Sequence, residues 1–183
     1  MGLGVFGLKS VYKKQLENIS SRKTTNVPEV INYGYFAGGS SGCSVNRIDF
    51  LTETLSLPGK NLPFGINLRA TSSSFYAYFN TGCSVNRLDF STENTSDVGK
   101  IVTWNRYNHA SVSSNFYGYF GGGGPSVPTS TCTIDRLNFI TETSSVLSTP
   151  FPTVISSSFS TSSPLYGYFG VGQTLIGPPT ESC

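Results

Sequence analysis

The sequence has few charged side chains, a single histidine and no long hydrophobic stretch. Only 12% of its 183 residues are Asp, Glu, Lys or Arg, and the formal net charge is +2. This charge is too small to create the positive field that nucleic acid binding requires, so we expect no nucleic acid partner. No apolar run approaches the roughly 20 residues needed to span a bilayer, which argues against membrane insertion. One histidine and the absence of paired Cys-x-x-Cys ligands argue against a metal site, and we expect no cofactor.

The chain is rich in Ser, Thr, Gly and aromatic residues, and these residues form a repeat. Tyr-Gly-Tyr-Phe, or Tyr-Ala-Tyr-Phe in the second copy, begins at tyrosines 41 to 49 residues apart: Tyr33, Tyr76, Tyr117 and Tyr166. A second passage follows each of the first three copies: Cys43-Ser-Val-Asn-Arg-Ile-Asp-Phe50, Cys83-Ser-Val-Asn-Arg-Leu-Asp-Phe90 and Cys132-Thr-Ile-Asp-Arg-Leu-Asn-Phe139. Similarity at a fixed period of this length is typical of solenoids and propellers.

Three of the four cysteines belong to the repeat. Cys43, Cys83 and Cys132 occupy the same position in successive copies. We therefore interpret them as small, buried strand residues with free thiols, a common role of cysteine, rather than as a disulfide framework.

Each repeat is predicted to contain four short antiparallel strands. The first is the Tyr-Gly-Tyr-Phe strand, in which Tyr and Gly alternate between the two faces and the glycine side allows close approach of a neighbouring sheet. The Cys-containing passage supplies the second strand, a Thr-Glu turn follows, and a weaker third strand precedes a serine-rich fourth. Four strands in forty-odd residues correspond to one propeller blade. The units are predicted at about 33–75, 76–116 and 117–165, with a partial unit at 166–183.

The order of these passages resembles the Kelch repeat. It is seen in Arg106-Tyr-Asn-His-Ala-Ser-Val112, then in the aromatic strand from Tyr117 to Gly124, and then in Ile134-Asp-Arg-Leu-Asn-Phe139. More specifically, the combination of Tyr-Gly-Tyr-Phe with Val-Asn-Arg-Ile-Asp-Phe and Thr-Glu-Thr is similar to the tandem Kelch-like repeats of virion structural proteins from tailed phages of marine bacteria, above all cyanophages. The similarity covers about residues 31–172, and the opening Met-Gly-Leu-Gly-Val-Phe-Gly, followed by Val11-Tyr12-Lys13, also resembles the start of several such proteins.

The resemblance implies an all-β fold of Kelch-like β-propeller blades and a structural, non-catalytic role in a virion. The expected location is a capsid or tail decoration, a fibre or an adhesin-like part, with capsid, tail or baseplate proteins as partners. Closed propellers have about 4–8 blades, whereas this chain supplies three full units and one extra strand. We therefore expect an incomplete ring that is completed or capped by oligomerisation, most simply as a homo-oligomer.

Residues 1–30 lie outside the repeat domain, 31–183, and are predicted to be a docking segment and linker. A stretch of two helical turns at residues 11–19 is too short to be stable alone, so it needs a partner. The apolar residues predicted to dock onto another virion protein are Val5, Phe6, Leu8, Val11, Tyr12 and Leu16.

Polar motifs in the repeat are interpreted as structural. Arg47 and Asp49 recur in the second copy, but in the third copy the acid moves to Asp135, on the other side of the arginine. A catalytic carboxylate would not tolerate this move, whereas a strand-end hydrogen bond would. His109 has no Ser or Cys motif positioned to work with it, so no catalytic residue is predicted.

The tyrosines of the repeat support an alternative function. The second tyrosine of each copy could form an aromatic surface that contacts a host-surface glycan: Tyr35, Tyr78, Tyr119 and Tyr168. Packing between blades would explain these rings equally well. The alternative is thus a carbohydrate- or protein-binding Kelch-like module that acts in host recognition or in solution.

Overall fold

Thirteen β-strands in four antiparallel sheets make up the part of the chain that the structure describes. The structure is a computed structural model that describes residues 33–38, 42–63, 65, 67–100, 102–103, 105–124, 131–156, 158–163 and 165–170. These residues include no helix, and hence none that is long and apolar enough to cross a membrane. The predicted all-β fold is confirmed.

Each sheet is built from strands that are consecutive in the chain, and within these residues none of the four sheets closes on itself. The first sheet contains β1 (Tyr33–Ala37), β2 (Val45–Asp49) and β3 (Thr54–Ser56). The second contains β4 (Arg69–Ser72), β5 (Tyr76–Thr81), β6 (Ser84–Asp89) and β7 (Thr95–Lys100). The third contains β8 (Ala110–Ser113), β9 (Tyr117–Gly121), β10 (Ile134–Asn138) and β11 (Ser144–Val146). The fourth contains β12 (Phe159–Ser162) and β13 (Gly167–Gly170).

The sheets begin one strand earlier than the units that were predicted from the tyrosines. The serine-rich strand β4 pairs with β5, which carries the next Tyr-Ala-Tyr-Phe, rather than with the first sheet. A tight turn explains this pairing, because the Ser73 hydroxyl accepts hydrogen bonds from the amides of Phe75 and Tyr76. Ser114 and Ser163 accept the corresponding bond from Tyr117 and Tyr166 in the later sheets. The second and third sheets thus have four strands each, and the last tyrosine motif has a hairpin partner, β12.

Strand-end hydrogen bonds explain the acidic residue of the repeat. Asp49 Oδ1 accepts hydrogen bonds from the amides of Leu51 and Thr52, at 2.8 and 3.2 Å. Asp89 and Asn138 form the same turn in the second and third sheets. An amide oxygen replaces a carboxylate oxygen in the third copy without loss of these bonds, so the role is structural, as predicted.

Two hydrophobic clusters lie between consecutive sheets. Alternation along β5 sends Ala77 and Phe79 into one cluster, together with Val45 of the first sheet. Tyr78 projects into the other cluster, where it meets Phe139 of the third sheet. Both faces of the second sheet are therefore buried.

The glycine of the repeat lies where a neighbouring sheet approaches. A Cβ atom added at Gly118 would lie 2.5 Å from Thr71 Cγ2, and one at Gly167 would lie 2.6 Å from Val112 Cγ2. These distances are shorter than a carbon–carbon contact allows. The glycine side therefore faces the preceding sheet, as the alternation indicated.

The cysteines of the three copies are not equivalent. Cys43 and Cys83 are free, half-buried thiols that lie two residues before β2 and one residue before β6, rather than within these strands. Cys132 is buried and disulfide-bonded. The interpretation of three free, buried strand cysteines is therefore wrong for the third copy and only partly right for the other two.

Candidate functional site

Tyr35, Arg47 and Glu93 link the first sheet to the second. Glu93 lies in the turn between β6 and β7, and its Oε1 accepts hydrogen bonds from Arg47 Nη1 at 2.7 Å and from the Tyr35 hydroxyl at 3.1 Å. The Tyr35 ring stacks on Phe90 with centroids 5.4 Å apart, and the Arg47 guanidinium lies 4.5 Å above the Tyr33 ring. Charge-assisted hydrogen bonds and aromatic stacking thus join the two sheets at one point.

The same link joins the second sheet to the third. Glu142 Oε1 lies 2.7 Å from Arg87 Nη1 and 3.1 Å from the Tyr78 hydroxyl. Tyr78 stacks on Phe139 with centroids 5.1 Å apart, and Arg87 lies 4.9 Å above Tyr76. The two links match in every partner, so we refer to this arrangement as the Tyr–Arg–Glu link.

The glutamates of these turns have a left-handed backbone. Glu53, Glu93 and Glu142 have φ angles of 56°, 56° and 53°. This conformation is uncommon for a residue with a side chain, and glycine or asparagine usually occupies it. A glutamate that recurs there points to a requirement for its carboxylate.

Burial affects the tyrosines of both links. Desolvation, together with the hydrogen bond to Glu93, raises the pKa of Tyr35 to about 12. Desolvation and the charge of Glu142 raise the pKa of Tyr78 well above its usual value. Both hydroxyls therefore remain hydrogen-bond donors throughout the physiological pH range.

From the sequence the Thr-Glu segments are predicted only as turns, and a role for these glutamates is not predicted. A signal was present, because a glutamate stands at the same position after Asp49, Asp89 and Asn138 in all three copies. A turn alone does not require a carboxylate at that position.

A fully buried ion pair joins Asp135 on β10 to Arg106, which lies between β7 and β8. Arg106 donates to Asp135 Oδ2 from Nε at 3.0 Å and from Nη2 at 2.8 Å, and neither side chain is exposed. The remaining guanidinium hydrogens reach the carbonyl oxygens of Gly122 and Thr133 and the Thr133 hydroxyl. The displaced acid of the third copy is thus explained, because Asp135 is the partner of Arg106 and not a substitute for Asp89.

His109 is inaccessible to a substrate. Its side chain is fully buried, and its ring lies edge-on to Phe120 at 5.9 Å between centroids. Desolvation, with smaller contributions from Arg69 and Arg106, lowers its pKa to about 3. The imidazole is therefore neutral and enclosed.

A groove of about 410 Å³ lies along β4, β8 and β12, the first strands of the second, third and fourth sheets. Seven of its fifteen lining residues are Ser or Thr, and the rings of Tyr33, Tyr35 and Phe90 also line it. Some of these hydroxyls also connect the sheets, since Ser111 Oγ donates to the Ala70 carbonyl and Ser160 Oγ donates to the Ser111 carbonyl, both at 2.6 Å. Neutral hydroxyls beside aromatic rings suit a polar, uncharged ligand.

The predicted glycan-contact tyrosines differ in accessibility. Tyr78 has no exposed surface, so it cannot contact a sugar in this structure, and Tyr35 is half-buried between two sheets but borders the groove. Tyr119 is half-buried on the third sheet, and Tyr168 on β13 is 55% exposed. These four side chains belong to different sheets and do not form one platform.

The residues predicted to dock onto another virion protein lie outside the described residues: Val5, Phe6, Leu8, Val11, Tyr12 and Leu16.

Across the part of the chain that the structure describes, no three His, Cys, Asp or Glu side chains are grouped closely enough to hold a metal ion.

No protein-family model matches the chain, and no curated protein sequence is significantly similar to it.

Proposed function

We propose that this chain is a structural protein of a phage virion, a capsid or tail decoration, fibre or adhesin-like component, and that it has no catalytic role. In this proposal the four sheets are Kelch-like propeller blades that form an incomplete ring, and other copies of the chain complete or cap it. The observation that carries the proposal is the Tyr–Arg–Glu link, which recurs with the same partners between consecutive sheets.

The arrangement of polar groups supports a structural role rather than a catalytic one. The two link glutamates each join one sheet to the next. Asp135 holds the third sheet to Arg106 in the preceding loop. Repetition of one sheet with one link makes a modular body that can extend, which suits a fibre or a decoration.

In the same proposal the N-terminal segment, 1–30, attaches the protein to a capsid, tail or baseplate protein. The apolar residues Val5, Phe6 and Leu8 are its expected contacts, because apolar side chains drive most protein association.

Mass spectrometry of purified particles from the virus that encodes the chain tests the location. We expect the chain at a fixed copy number per particle, and antibody labelling in the electron microscope to mark one site on the head or tail. Replacing Val5, Phe6 and Leu8 by Ser in the full chain should remove it from particles without altering its circular dichroism. If the chain is absent from washed particles, the virion assignment is wrong.

The serine-lined groove favours a second candidate function, binding of a carbohydrate. A glycan offers hydroxyl groups to the groove and an apolar ring face to Tyr33 and Tyr35. Binding on a glycan array that is lost in Tyr33→Ala but kept in Tyr168→Ala would support this function. An array without any binding would leave only the structural role.

A further inference from the structure

Consecutive sheets meet through the same two faces. The glycine face of a sheet carries the glycine or alanine of the tyrosine motif, and it packs on the preceding sheet. The tyrosine face is the opposite one, which carries the two tyrosines and receives the following sheet. Gly118 of the third sheet lies against Thr71 of the second, and Gly167 of the fourth lies against Val112 of the third. Ala77 of the second sheet likewise lies in a hydrophobic cluster with the first sheet. Each internal contact therefore pairs a glycine face with a tyrosine face.

The glycine face of the first sheet is open. Phe36 and Phe50 lie on this face and are 62% and 61% exposed. At the same positions of the third sheet, Phe120 and Phe139 are 0% and 8% exposed, because the second sheet covers them. Leu55, which also lies on the open face, is exposed as well. A contiguous set of large apolar side chains of this kind marks an interaction surface.

The fourth sheet provides the open tyrosine face, since its own packing covers the tyrosine face of the third sheet. Tyr168 is 55% exposed, whereas Tyr78, at the same position of the second sheet, has no exposed surface. Thr161 pairs across the strands with Tyr168 and is exposed. The residues at its position in the two preceding sheets, Thr71 and Val112, are buried against the glycines that follow them. The four sheets thus begin with a free glycine face and end with a free tyrosine face.

Glu53 adds a polar group to the open glycine face. It has the same left-handed backbone as Glu93 and Glu142, whose carboxylates each accept a hydrogen bond from a tyrosine hydroxyl of the preceding sheet. The Glu53 side chain is exposed, and among the described residues no group donates a hydrogen bond to it. The donor in both internal links is the second tyrosine of its motif, which is the position that Tyr168 holds on the fourth sheet.

We propose that the glycine face of the first sheet of one copy packs on the tyrosine face of the fourth sheet of another copy. Phe50 then stacks on the Tyr168 ring, and Gly34 lies against Thr161. Glu53 accepts a hydrogen bond from the Tyr168 hydroxyl. This inference rests on the homo-oligomer part of the proposed function and deepens it by naming the two surfaces that meet.

The contact is heterologous, because it joins two different surfaces of the chain. Repetition therefore gives a ring if the rotation closes and a filament if it does not. Two copies of four sheets each would make a ring of eight, which lies within the range of about 4–8 blades in closed propellers.

Substitutions on the two faces test the contact. Sedimentation velocity of the full chain over a concentration series should show association of the wild-type protein. Tyr168→Glu should weaken it by about tenfold or more, because the introduced carboxylate faces that of Glu53. Glu53→Lys should also weaken it, because the Tyr168 hydroxyl loses its acceptor. An equimolar mixture of the two variants should recover association, since the introduced charges are opposite across one contact and wild-type groups form the other.

Phe116→Glu is the matched control. It also replaces an exposed aromatic side chain by a carboxylate, but it lies in the turn between β8 and β9, outside both open faces. Its association should equal that of the wild-type chain.

Photochemical cross-linking locates the contact. A benzoylphenylalanine in place of Tyr168 should join the peptide that contains Phe50, and a mixture of ¹⁴N- and ¹⁵N-labelled protein identifies the product as intermolecular. The same probe in place of Phe116 should give no product with the first sheet.

A wild-type chain that is monomeric at every soluble concentration would overturn the proposal, as would association that neither substitution weakens. A cross-link from position 168 to the first sheet of the same copy would also overturn it, because the chain would then close on itself. A chain that associates through this contact but is missing from purified particles rejects only the virion role. A chain found in particles whose association ignores both substitutions rejects only the contact.

Discussion

Arg87 and Glu142 are in different sheets, but their side chains meet at 2.7 Å, and the Tyr78 hydroxyl reaches the same carboxylate oxygen. Arg47 and Glu93 repeat this relationship one sheet earlier at the same distance. The sheets of this protein are therefore joined by directional polar bonds as well as by apolar packing.

Removing the Glu142 carboxylate should destabilise the protein, whereas the same change at Glu53 should not. Glu142→Ala loses a charge-assisted hydrogen bond and leaves Tyr78 and Arg87 without their acceptor, so we expect a loss of about 1–3 kcal/mol in the free energy of unfolding. Glu53→Ala breaks no contact within one copy and should change that free energy by less than about 0.5 kcal/mol. Both variants keep a non-glycine residue with a left-handed backbone, so the comparison isolates the carboxylate. Urea unfolding of dilute protein measures both values, and equal losses would contradict the role assigned to Glu142.

Breaking the buried ion pair should be more damaging than replacing it. Asp135→Ala leaves the Arg106 guanidinium buried without its counter-charge, and we expect a loss of about 3–5 kcal/mol. The double variant Arg106→Met with Asp135→Leu removes both charges and should recover at least part of this loss. Thermal unfolding of the two variants provides the comparison. A double variant that is less stable than Asp135→Ala would show that the hydrogen bonds of Arg106 to Gly122 and Thr133 matter more than its charge.

Acid should weaken the fold through His109. Its pKa is about 3 in the folded chain and about 6.5 when unfolded, so between these values the unfolded chain binds the additional proton. The free energy of unfolding is therefore unaffected by this group above about pH 6.5 and falls as the pH decreases below it. At pH 5 the loss is about 2 kcal/mol relative to neutral pH.

His109→Gln serves as the control for this pH dependence. Its stability should change little between pH 7 and pH 5, because Asp89, whose pKa is lowered chiefly by the hydrogen bond from Ser91, contributes only at more acidic pH. Denaturant unfolding at several pH values gives the slope. A wild-type slope that persists in His109→Gln would assign the effect to other groups.

A methyl group at Gly118 should disturb the contact between the second and third sheets. Gly118→Ala places a carbon 2.5 Å from Thr71 Cγ2 and 3.1 Å from Phe139, which the packed sheets can accommodate only by moving. Overpacking of this kind costs about 1–3 kcal/mol. Ala77 holds the corresponding position of the second sheet with a Cβ already present, so Ala77→Gly is the reverse substitution. If thermal unfolding shows no loss for Gly118→Ala, the sheets are less closely packed than the distances indicate.

The sequence predicted those features that depend on local alternation and on repetition. The strands at Tyr33, Tyr76 and Tyr117 follow from the repeat, and the turn at Asp49 follows from its position at a strand end. Strand partnership was harder to predict, because the hairpin from β4 to β5 depends on a serine hydroxyl that accepts backbone amides at residue 73. A unit boundary placed at Tyr76 therefore separates β4 from β5, although the turn at Ser73 joins these two strands in one hairpin.

The link itself could be predicted only in part. The recurrence of Arg47 and Arg87 with Glu93 and Glu142 was visible in the sequence, but their pairing crosses from one sheet to the next, and local pattern carries no information on such contacts. The Arg106–Asp135 pair was hidden for a different reason. Asp135 is the residue that departs from the repeat, so comparison of the copies made it look like a displaced equivalent of Asp89.

The identity of the two links has a consequence for how such a chain can change in length. If residues 76–116 were deleted, Phe75 would be followed by Tyr117 just as Phe116 is now, and the Tyr35–Arg47 surface would meet Glu142 in place of Glu93. Because the first and second sheets offer the next sheet the same coupling, loss of this repeat preserves the link at the new junction. A gene for such a protein could therefore lengthen or shorten by recombination between its own repeats without requiring a new type of contact between neighbouring sheets.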